Sequence, residues 1–517
     1  MRIQKSAIIL AAGFGMRSIP INIDIPKGLI KVHGERLIER LISQLKNQGI
    51  DDIVIVIGYM SEKYLYLEEE YNVHLIVNSE FAEKNSLHSL WLAKDYISNS
   101  YILPCDVWIK DNIFDNTLSE SCCYLSAAAE NSDTGDTKEQ WDNLLGIAYI
   151  NENDSEYFSK MLEKLEHITG SEKLFWEEIL YCSNKLNLKK IIDQKATVIE
   201  IDTFEDLRKF DSESPQLNAD SVNYICSILN VEVSDIYNIK AMKKGMTNRS
   251  FFFESHHQKY IMRIPGEGTD LLINRKSEAS VYNTIAPYLL SDELISIDEN
   301  SGYKITKFIS DTRTCDPKNN KDLELCIKKL KSFHQLELIV DHEFDLFDQI
   351  NFYEQINSNQ SVYPNYDDVK KTIFSLKSFI EDNVERKCLT HIDAVSDNFL
   401  IYQEAEQLVV KLIDWEYAAM QDPHLDLAMF AIYSSYSRIE LDKLINLYFD
   451  NQCETNIRYK IYAYVAVAGL LWSNWCEYKS SLGVEFGEYA VLQFEYATLY
   501  SKIVKEYLAY EIKGKGG

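Results

Sequence analysis

The chain has 517 residues, 46% hydrophobic and 26% charged, with 53 Lys+Arg against 80 Asp+Glu and a formal net charge of −27. Such a composition excludes disorder over most of the length and gives two to four domains at roughly 100–200 residues each. So acidic a chain is a poor match for nucleic acid or an anionic membrane surface, since both need a basic face; it tolerates a cationic small substrate.

Ten cysteines without a CxxC pair do not make a disulfide scaffold or a zinc clip. Free, buried thiols in a reducing cytoplasm are expected. No run reaches the ~18 apolar residues of a membrane span. The opening apolar run, Ala7 to Ala12, ends in Gly13, Gly15 and Arg17 instead of a cleavage site, and reads as a buried strand.

In chain order, Ser6–Ala12, Ile53–Gly58, His74–Asn78 and Tyr101–Asp106 are continuous apolar strands, alternating with helical patterns over Leu37–Gln48 and Ser86–Ile97. This alternation predicts an α/β fold, a doubly wound, mostly parallel sheet with ligands at the carboxyl ends of its strands. Cys123–Ala129, Leu145–Ile150 and Ala196–Ile201 are expected to extend the sheet. The polar stretch Asp211–Asp220 marks a boundary between domains 1–212 and 218–517. Beyond it, Phe251–Glu254 and Tyr260–Ile264 form a hairpin, and Arg275 to Pro287 is helical. Leu408–Asp414 is a strand among helices, and Ile457 to about Ile512 forms two or three long helices.

Two constellations carry chemistry. The first begins with Ala12, Gly13, Gly15 and Arg17 directly after the first strand, where glycines let the backbone approach a phosphate and a basic side chain holds it. Pro26-Lys27 follows; Asp106 ends a later strand, and Asp202 lies in the segment Glu200–Asp206. Two carboxylates at strand ends suit Mg²⁺. Each feature alone reads as a solvated loop. Together, the LAAGFGMR…PK pattern resembles the nucleotidyltransferases that make nucleotide-activated sugars and alcohols, and is most similar to bacterial CTP:phosphocholine cytidylyltransferases over about residues 1–210. The resemblance implies a triphosphate of CTP held by Gly13, Gly15 and Arg17, with Lys27 neutralising charge at the α phosphate. It places Asp106 and Asp202 on Mg²⁺, and Asn85 and Ser86 near the ribose or base. A phosphate oxygen would attack the α phosphorus, a reaction of positioning and charge neutralisation. Trp141 and Trp176 are candidate faces for a quaternary ammonium, with core packing as the alternative.

The second constellation is His391-Ile-Asp393-…-Asn398, an HxDxxxxN pattern, with Asp414 sixteen residues after Asn398 at a strand end. Its spacing suits a kinase-type division of labour: Asp393 as base, Asn398 and Asp414 as metal ligands. Lys244–Asn248 precedes a strand as a phosphate-covering loop would, Arg263 follows on the next strand, and Glu278 can pair with it. Residues 220–517 resemble the choline and ethanolamine kinases, of protein-kinase-like two-lobed α+β fold related to the aminoglycoside phosphotransferases. The resemblance extends to Asn274-Arg275-Lys276, Asp426 and the Trp472/Trp475 pair. It implies a nucleotide site at Asn248, Arg263 and Glu278 and a choline pocket built from Trp472, Trp475, Tyr417 and Glu416, with Tyr489 as a further wall. A spacing of three puts Trp472 and Trp475 on one helix face, where an aromatic box for a cation competes with plain packing.

The expectation is a cytoplasmic bifunctional enzyme with choline, phosphocholine, ATP and CTP as small-molecule partners and Mg²⁺ at both sites, without nucleic acid or membrane. Ethanolamine or another amino alcohol in place of choline, a sugar phosphate or UTP in the first half, and a non-catalytic module in one half all stay open. Channelling and oligomeric state are not legible.

Overall fold

The computed structural model describes residues 5–23, 25–127, 143–182, 186, 188–242, 248–266, 269, 272–357, 360–481 and 486–515. Among them no helix is long and apolar enough to cross a membrane. The chain divides into two compact units, Met1–Met242 with Phe253–His256 and Lys243–Phe252 with His257–Gly517.

The first unit is built on a seven-stranded sheet. Ser6–Ala11, every residue of it buried, pairs in parallel with Asp52–Ile57 on one side and Ser100–Pro104 on the other. His74–Val77 extends the first flank in parallel. Leu144–Ile150 runs antiparallel between Ser100–Pro104 and Cys122–Ser126, and Lys189–Asp193 closes that edge in parallel. Only Leu144–Ile150 is reversed, so the sheet is doubly wound and mostly parallel, as expected. Its strands are apolar on both faces because each face is covered: Leu37–Asn47 lays Ile38, Leu41, Ile42 and Leu45 against one side, and Ser86–Leu92 lays Leu87 and Leu90 against the other.

Two expectations are corrected. The edge strand Lys189–Asp193 escaped the sequence reading because its exposed lysines break the apolar run. Ala196–Ile201 does not extend the sheet; Val198–Glu200 pairs antiparallel with Val107–Ile109 in a separate two-stranded ladder, Glu200 opposite Val107. That ladder is what brings the later acidic segment to the end of Ser100–Pro104.

In the second unit, Gln258–Pro265, Lys304–Lys307 and Leu294–Ile297 are neighbours in one sheet in that order, and Asn248–Ser255 precedes Gln258–Pro265 in the chain as its hairpin partner. The hairpin turns at His256 and His257, both at positive φ. Arg275–Ile285 follows, capped by the Asn274 side chain, which accepts from the amides of Lys276 and Ser277. The rest of the described residues are mainly helical, with two small sheets: Arg313–Thr314, Phe399–Glu404 and Gln407–Leu412 in that order, and Cys388–Thr390 on Ala419–Gln421. The architecture is the two-lobed kinase-like one.

Two long helices, Thr455–Ser481 and Glu488–Lys515, pack on each other. They come close at Gly469, where an added Cβ would lie 2.7 Å from the Gln493 carbonyl oxygen and 2.9 Å from the Ala497 nitrogen. Alanine favours a helix by up to ~1 kcal/mol over glycine. Here the added methyl meets backbone that cannot turn aside, and overpacking of that kind costs about 1–3 kcal/mol. Gly469→Ala should therefore lower the melting temperature of the chain, read by calorimetry; an unchanged or raised melting temperature would contradict this packing.

Candidate active sites

In the first unit, a cleft of about 580 Å³ opens at the carboxyl ends of the central strands. Ala12, Gly13, Gly15, Arg17, Lys27, Asn85, Ser86, Asp106 and Glu200 all line it. Local folding explains the convergence. Gly15 sits at φ +65° with its α carbon packed on the Lys27 stem, since a Cβ there would fall 2.6 Å from Lys27 Cε. Only glycine permits both the left-handed backbone and that approach. On the acidic side, the Ile201 amide donates to the Asp106 carbonyl at 2.9 Å, and Ser18 Oγ donates to the Asp202 carbonyl at 2.7 Å. Directly after Asp202, a capping box between Thr203 and Asp206 starts the helix Phe204–Phe210 and fixes where that residue stands.

Lys27 is the hub. Its Nζ lies 2.8 Å from Asp106 Oδ2 and 2.6 Å from Asp202 Oδ1, while Arg17 Nη1 lies 2.9 Å from Asp202 Oδ2. Burial alone would lower the Lys27 pKa, but the two carboxylates overcome it and hold the ammonium above the ordinary lysine value. Glu200 is exposed, yet desolvation by the cleft walls and the Asp202 and Asp106 charges push its carboxyl up to about 7. Asp106, Glu200 and Asp202 each offer an oxygen within 4.8 Å of the others. Glu200 as a third carboxylate was missed; its signal was its place two residues before Asp202, both side chains on one face of an extended segment.

Asn85 caps the helix Ser86–Leu92, its Oδ1 accepting from the Ser86 amide at 2.9 Å; Ser86 Oγ accepts from the Trp176 amide at 3.1 Å. Trp176 is corrected as an open aromatic face: it is 1% exposed and packs among Leu87, Leu90 and Phe158 in the core. The neighbouring Phe175 is 52% exposed, and both it and the buried Trp176 border the cleft. Glu177 lines it too; burial, with Glu200 and Asp106, pushes its carboxyl up to about 7, and its Oε2 has no hydrogen-bond partner among the described residues. Trp141 lies outside the described residues, as do Lys244 and Gly245.

In the second unit, Asn398 Nδ2 donates to the Asp393 carbonyl at 2.8 Å and to Asp393 Oδ2 at 3.0 Å. Burial pushes the Asp393 carboxyl well up, and Asp414 and Glu416 add to it. Ile392, just before Asp393, stands at φ +69°, and Asp414 at φ +65°. Asp426 holds this loop: its carboxylate accepts from the amides of His391 at 3.0 Å and Ile392 at 2.7 Å.

Arg263 meets Glu278 with two hydrogen bonds, 2.6 and 2.9 Å, both groups buried. Burial opposes both charges, but each partner's field prevails: Glu278 is held below the usual carboxylate range and Arg263 above the usual guanidinium value. Arg275 and Lys304 also approach Glu278, at 3.4 and 3.6 Å, and neither role was read from the sequence. Glu416 belongs to this network as well. It accepts from Asn248 Nδ2 at 2.8 Å and lies 3.3 Å from Arg263. A buried carboxylate needs such a cation, and Glu416 finds one in Arg263, an engagement that the sequence reading did not include. Burial and Asp414 nonetheless push its carboxyl up to about 7. Tyr417, the next residue, stands edge-on to Trp472 with ring centres 5.7 Å apart, and Trp472 lies 6.0 Å from Trp475. Tyr489 is half-buried, its ring 6.1 Å from Tyr433, whose hydroxyl donates to Asp397 at 2.8 Å.

Comparison with known proteins matches this geometry. The nucleotidyl transferase family model matches residues 6–163, and the choline/ethanolamine kinase family model matches residues 239–446. The choline-phosphate cytidylyltransferase of Streptococcus pneumoniae is 31% identical over 225 residues, 40% of this chain and 96% of that protein. A 2-aminoethylphosphonate cytidylyltransferase of Lancefieldella rimae is 30% identical, over 40% of this chain and 92% of that protein. Among solved structures, the choline kinase LicA from Streptococcus pneumoniae is similar at 28% identity and a TM-score of 0.48, covering 54% of this chain and 96% of that one. With a Lys–Asp–Asp cleft in one unit and an Asp–Asn loop in the other, the chain belongs to the nucleotidyl transferase family in its first half, the cytidylyltransferases in particular, and its second half is a kinase domain of the choline/ethanolamine kinase type.

Proposed function

We propose that the chain makes CDP-choline in two steps, with domains at 1–212 and 218–517. The second domain phosphorylates choline with ATP; the first joins the resulting phosphocholine to CTP. The observation that carries the reading is the pairing of two complete constellations in one chain: Lys27 between Asp106 and Asp202, and Asn398 locked on Asp393 with the Tyr417–Trp472–Trp475 rings following Asp414.

In the kinase domain, Asp393 orients the choline hydroxyl and takes its proton as the oxygen attacks the γ phosphorus and ADP leaves. Asn398 and Asp414 face the nucleotide phosphates, with Arg263, Asn248 and Glu278 holding the phosphate side. The faces of Trp472, Trp475 and Tyr417, with Tyr489 as an outer wall, receive the trimethylammonium group. In the cytidylyltransferase domain, a phosphocholine oxygen attacks the α phosphorus of CTP and pyrophosphate leaves. Gly13, Gly15 and Arg17 hold the triphosphate, Lys27 neutralises the charge that builds at the α phosphate, and Asn85 and Ser86 stand at the nucleoside. The oxygen sets Asp106–Glu200–Asp202 and Asn398–Asp414 fit Mg²⁺ in donor chemistry, and when bound it supplies charge neutralisation on the nucleotide phosphates. A cytoplasmic setting, where ATP and CTP are at hand, fits both reactions.

Phosphorus NMR of the purified chain with choline, ATP, CTP and Mg²⁺ tests the reading. Phosphocholine should appear first and the paired phosphate signals of CDP-choline after it. Phosphocholine that accumulates without CDP-choline would overturn the substrate of the first domain; no phosphocholine would overturn the aromatic pocket. A second reading, a primary ammonium alcohol, is favoured by Glu177, whose Oε2, unpartnered among the described residues, can accept from an ammonium N–H but not from a quaternary group. The same spectra recorded with ethanolamine distinguish the two.

A further inference from the structure

Behind the catalytic loop of the kinase half lies a cavity of about 350 Å³, lined by none of the residues assigned above. Helix Asn320–His334 contributes Lys331, the loop before Cys388–Thr390 contributes Arg386, the loop after Ala419–Gln421 contributes Asp422 and His424, and the end of Arg438–Tyr448 contributes Tyr448.

Two cations, Lys331 and Arg386, line it. Lys331 Nζ is 2.6 Å from Asp450, and Arg386 pairs with Glu337, but those carboxylates are 79% and 58% exposed. Pairs of that kind are worth about 0–1 kcal/mol, so both cations can exchange a solvated carboxylate for a doubly charged phosphate, which a guanidinium holds through two parallel hydrogen bonds. Asp422 does not repel such a guest, because buried Lys460 meets it at 2.6 Å. Exposed Glu385 on the rim is the one lining carboxylate left uncompensated among the described residues. His424 Nδ1 is buried and faces Asp422 Oδ1 at 3.3 Å. Burial, opposed by Asp422 and aided by Lys460, His334 and Arg386, holds its pKa down at about 4, so the imidazole adds no charge to the cavity near pH 7.

The cavity is wired to the catalytic loop. The Tyr448 hydroxyl donates to His334 Nδ1 at 2.8 Å, His334 Nε2 donates to Asp426 Oδ2 at 2.9 Å, and Asp426 holds the amides of His391 and Ile392, next to Asp393.

We propose that this cavity is an effector site for the phosphate monoester of a small alcohol, the class of product the kinase half releases, and that its occupancy reaches Asp393 through Tyr448, His334 and Asp426. The identity of the ester rests on the kinase reading above; binding of a phosphate group does not.

The test uses the full chain and the double variant Lys331→Gln/Arg386→Gln, both rim side chains being partly exposed. Calorimetric titration with phosphocholine, and separately with inorganic phosphate, is paired with kinase initial rates at saturating ATP and choline. Phosphocholine should bind the double variant at least ~10-fold more weakly at one site, the equivalent of about 1.4 kcal/mol. Its inhibition of the kinase should persist at high choline in the native chain and fade in the variant, with the uninhibited rate unchanged. Equal affinity in both proteins overturns the site. Equal potency of inorganic phosphate overturns the ester as its ligand. Inhibition that high choline abolishes overturns the coupling. A chain without choline kinase turnover would sink the functional reading, while the calorimetric comparison would still decide the cavity.

Discussion

Asp393→Asn is expected to lower the rate of choline phosphorylation by about 10²–10⁴, the range removed with a positioned general base, while cytidylyl transfer to supplied phosphocholine continues at its original rate. The substitution keeps the shape and the hydrogen-bonding reach of the side chain, so Asn398 can still meet it, and what is lost is the capacity to take a proton. Two features make the loss large. Burial and the charges of Asp414 and Glu416 push the Asp393 carboxyl up, which makes it a readier acceptor for a hydroxyl proton. And Asn398 holds the carboxylate by both the backbone and the side chain, so no neighbour is placed to take its role. Coupled assays for ADP and for pyrophosphate on the same preparation read the two rates. A fall of less than tenfold in ADP release would mean that Asp393 serves only to shape the loop.

Lys27→Met should do the converse: pyrophosphate release falls by about 10²–10³, the loss typical of one preorganised charge-stabilising group, and ADP release is untouched. Methionine keeps most of the stem that packs under Gly15 but leaves Asp106 and Asp202 facing each other with Arg17, on Asp202, as the remaining cation paired with them among the described residues. Higher Mg²⁺ should not restore the rate, because the missing charge is a fixed one on the protein side of the α phosphate. Recovery at high Mg²⁺ would show that Lys27 is merely a counter-ion for the acidic pair.

Both of these residues were legible in the sequence because each sits in a local signature whose spacing is set by one loop: glycines, Arg17 and Lys27 after the first strand, Asp393 and Asn398 within six residues of each other. The apolar runs were legible for a similar reason, since a strand covered on both faces has no polar positions. What was not legible is what tertiary packing decides. Phe175 and Trp176 are adjacent aromatics, and nothing in the local pattern says which one the helix Ser86–Leu92 will cover; the larger ring went into the core and the smaller stayed in the cleft. Glu416 sits beside Tyr417, yet the two side chains join different groups, because Arg263 and Asn248 come from strands more than 150 residues earlier. Lys304 and Arg275 share Glu278 for the same reason: the network is closed only when the sheet and helix are assembled.

Ile392 and Asp414 occupy the left-handed region of backbone space on either side of the kinase chemistry, a conformation that costs a non-glycine residue about 1–3 kcal/mol, most of all a β-branched one. Set against the roughly 5–15 kcal/mol that holds a typical domain together, these two positions are a standing handicap, the first of which Asp426 keeps in place through the Ile392 amide. Selection for heat resistance alone would thus be drawn to this loop, where relaxing the backbone is the shortest route to a sturdier protein. The variants it favoured would be sturdier and slower, so a campaign to harden this enzyme should leave residues 391–393 and 414 fixed and seek its gains elsewhere.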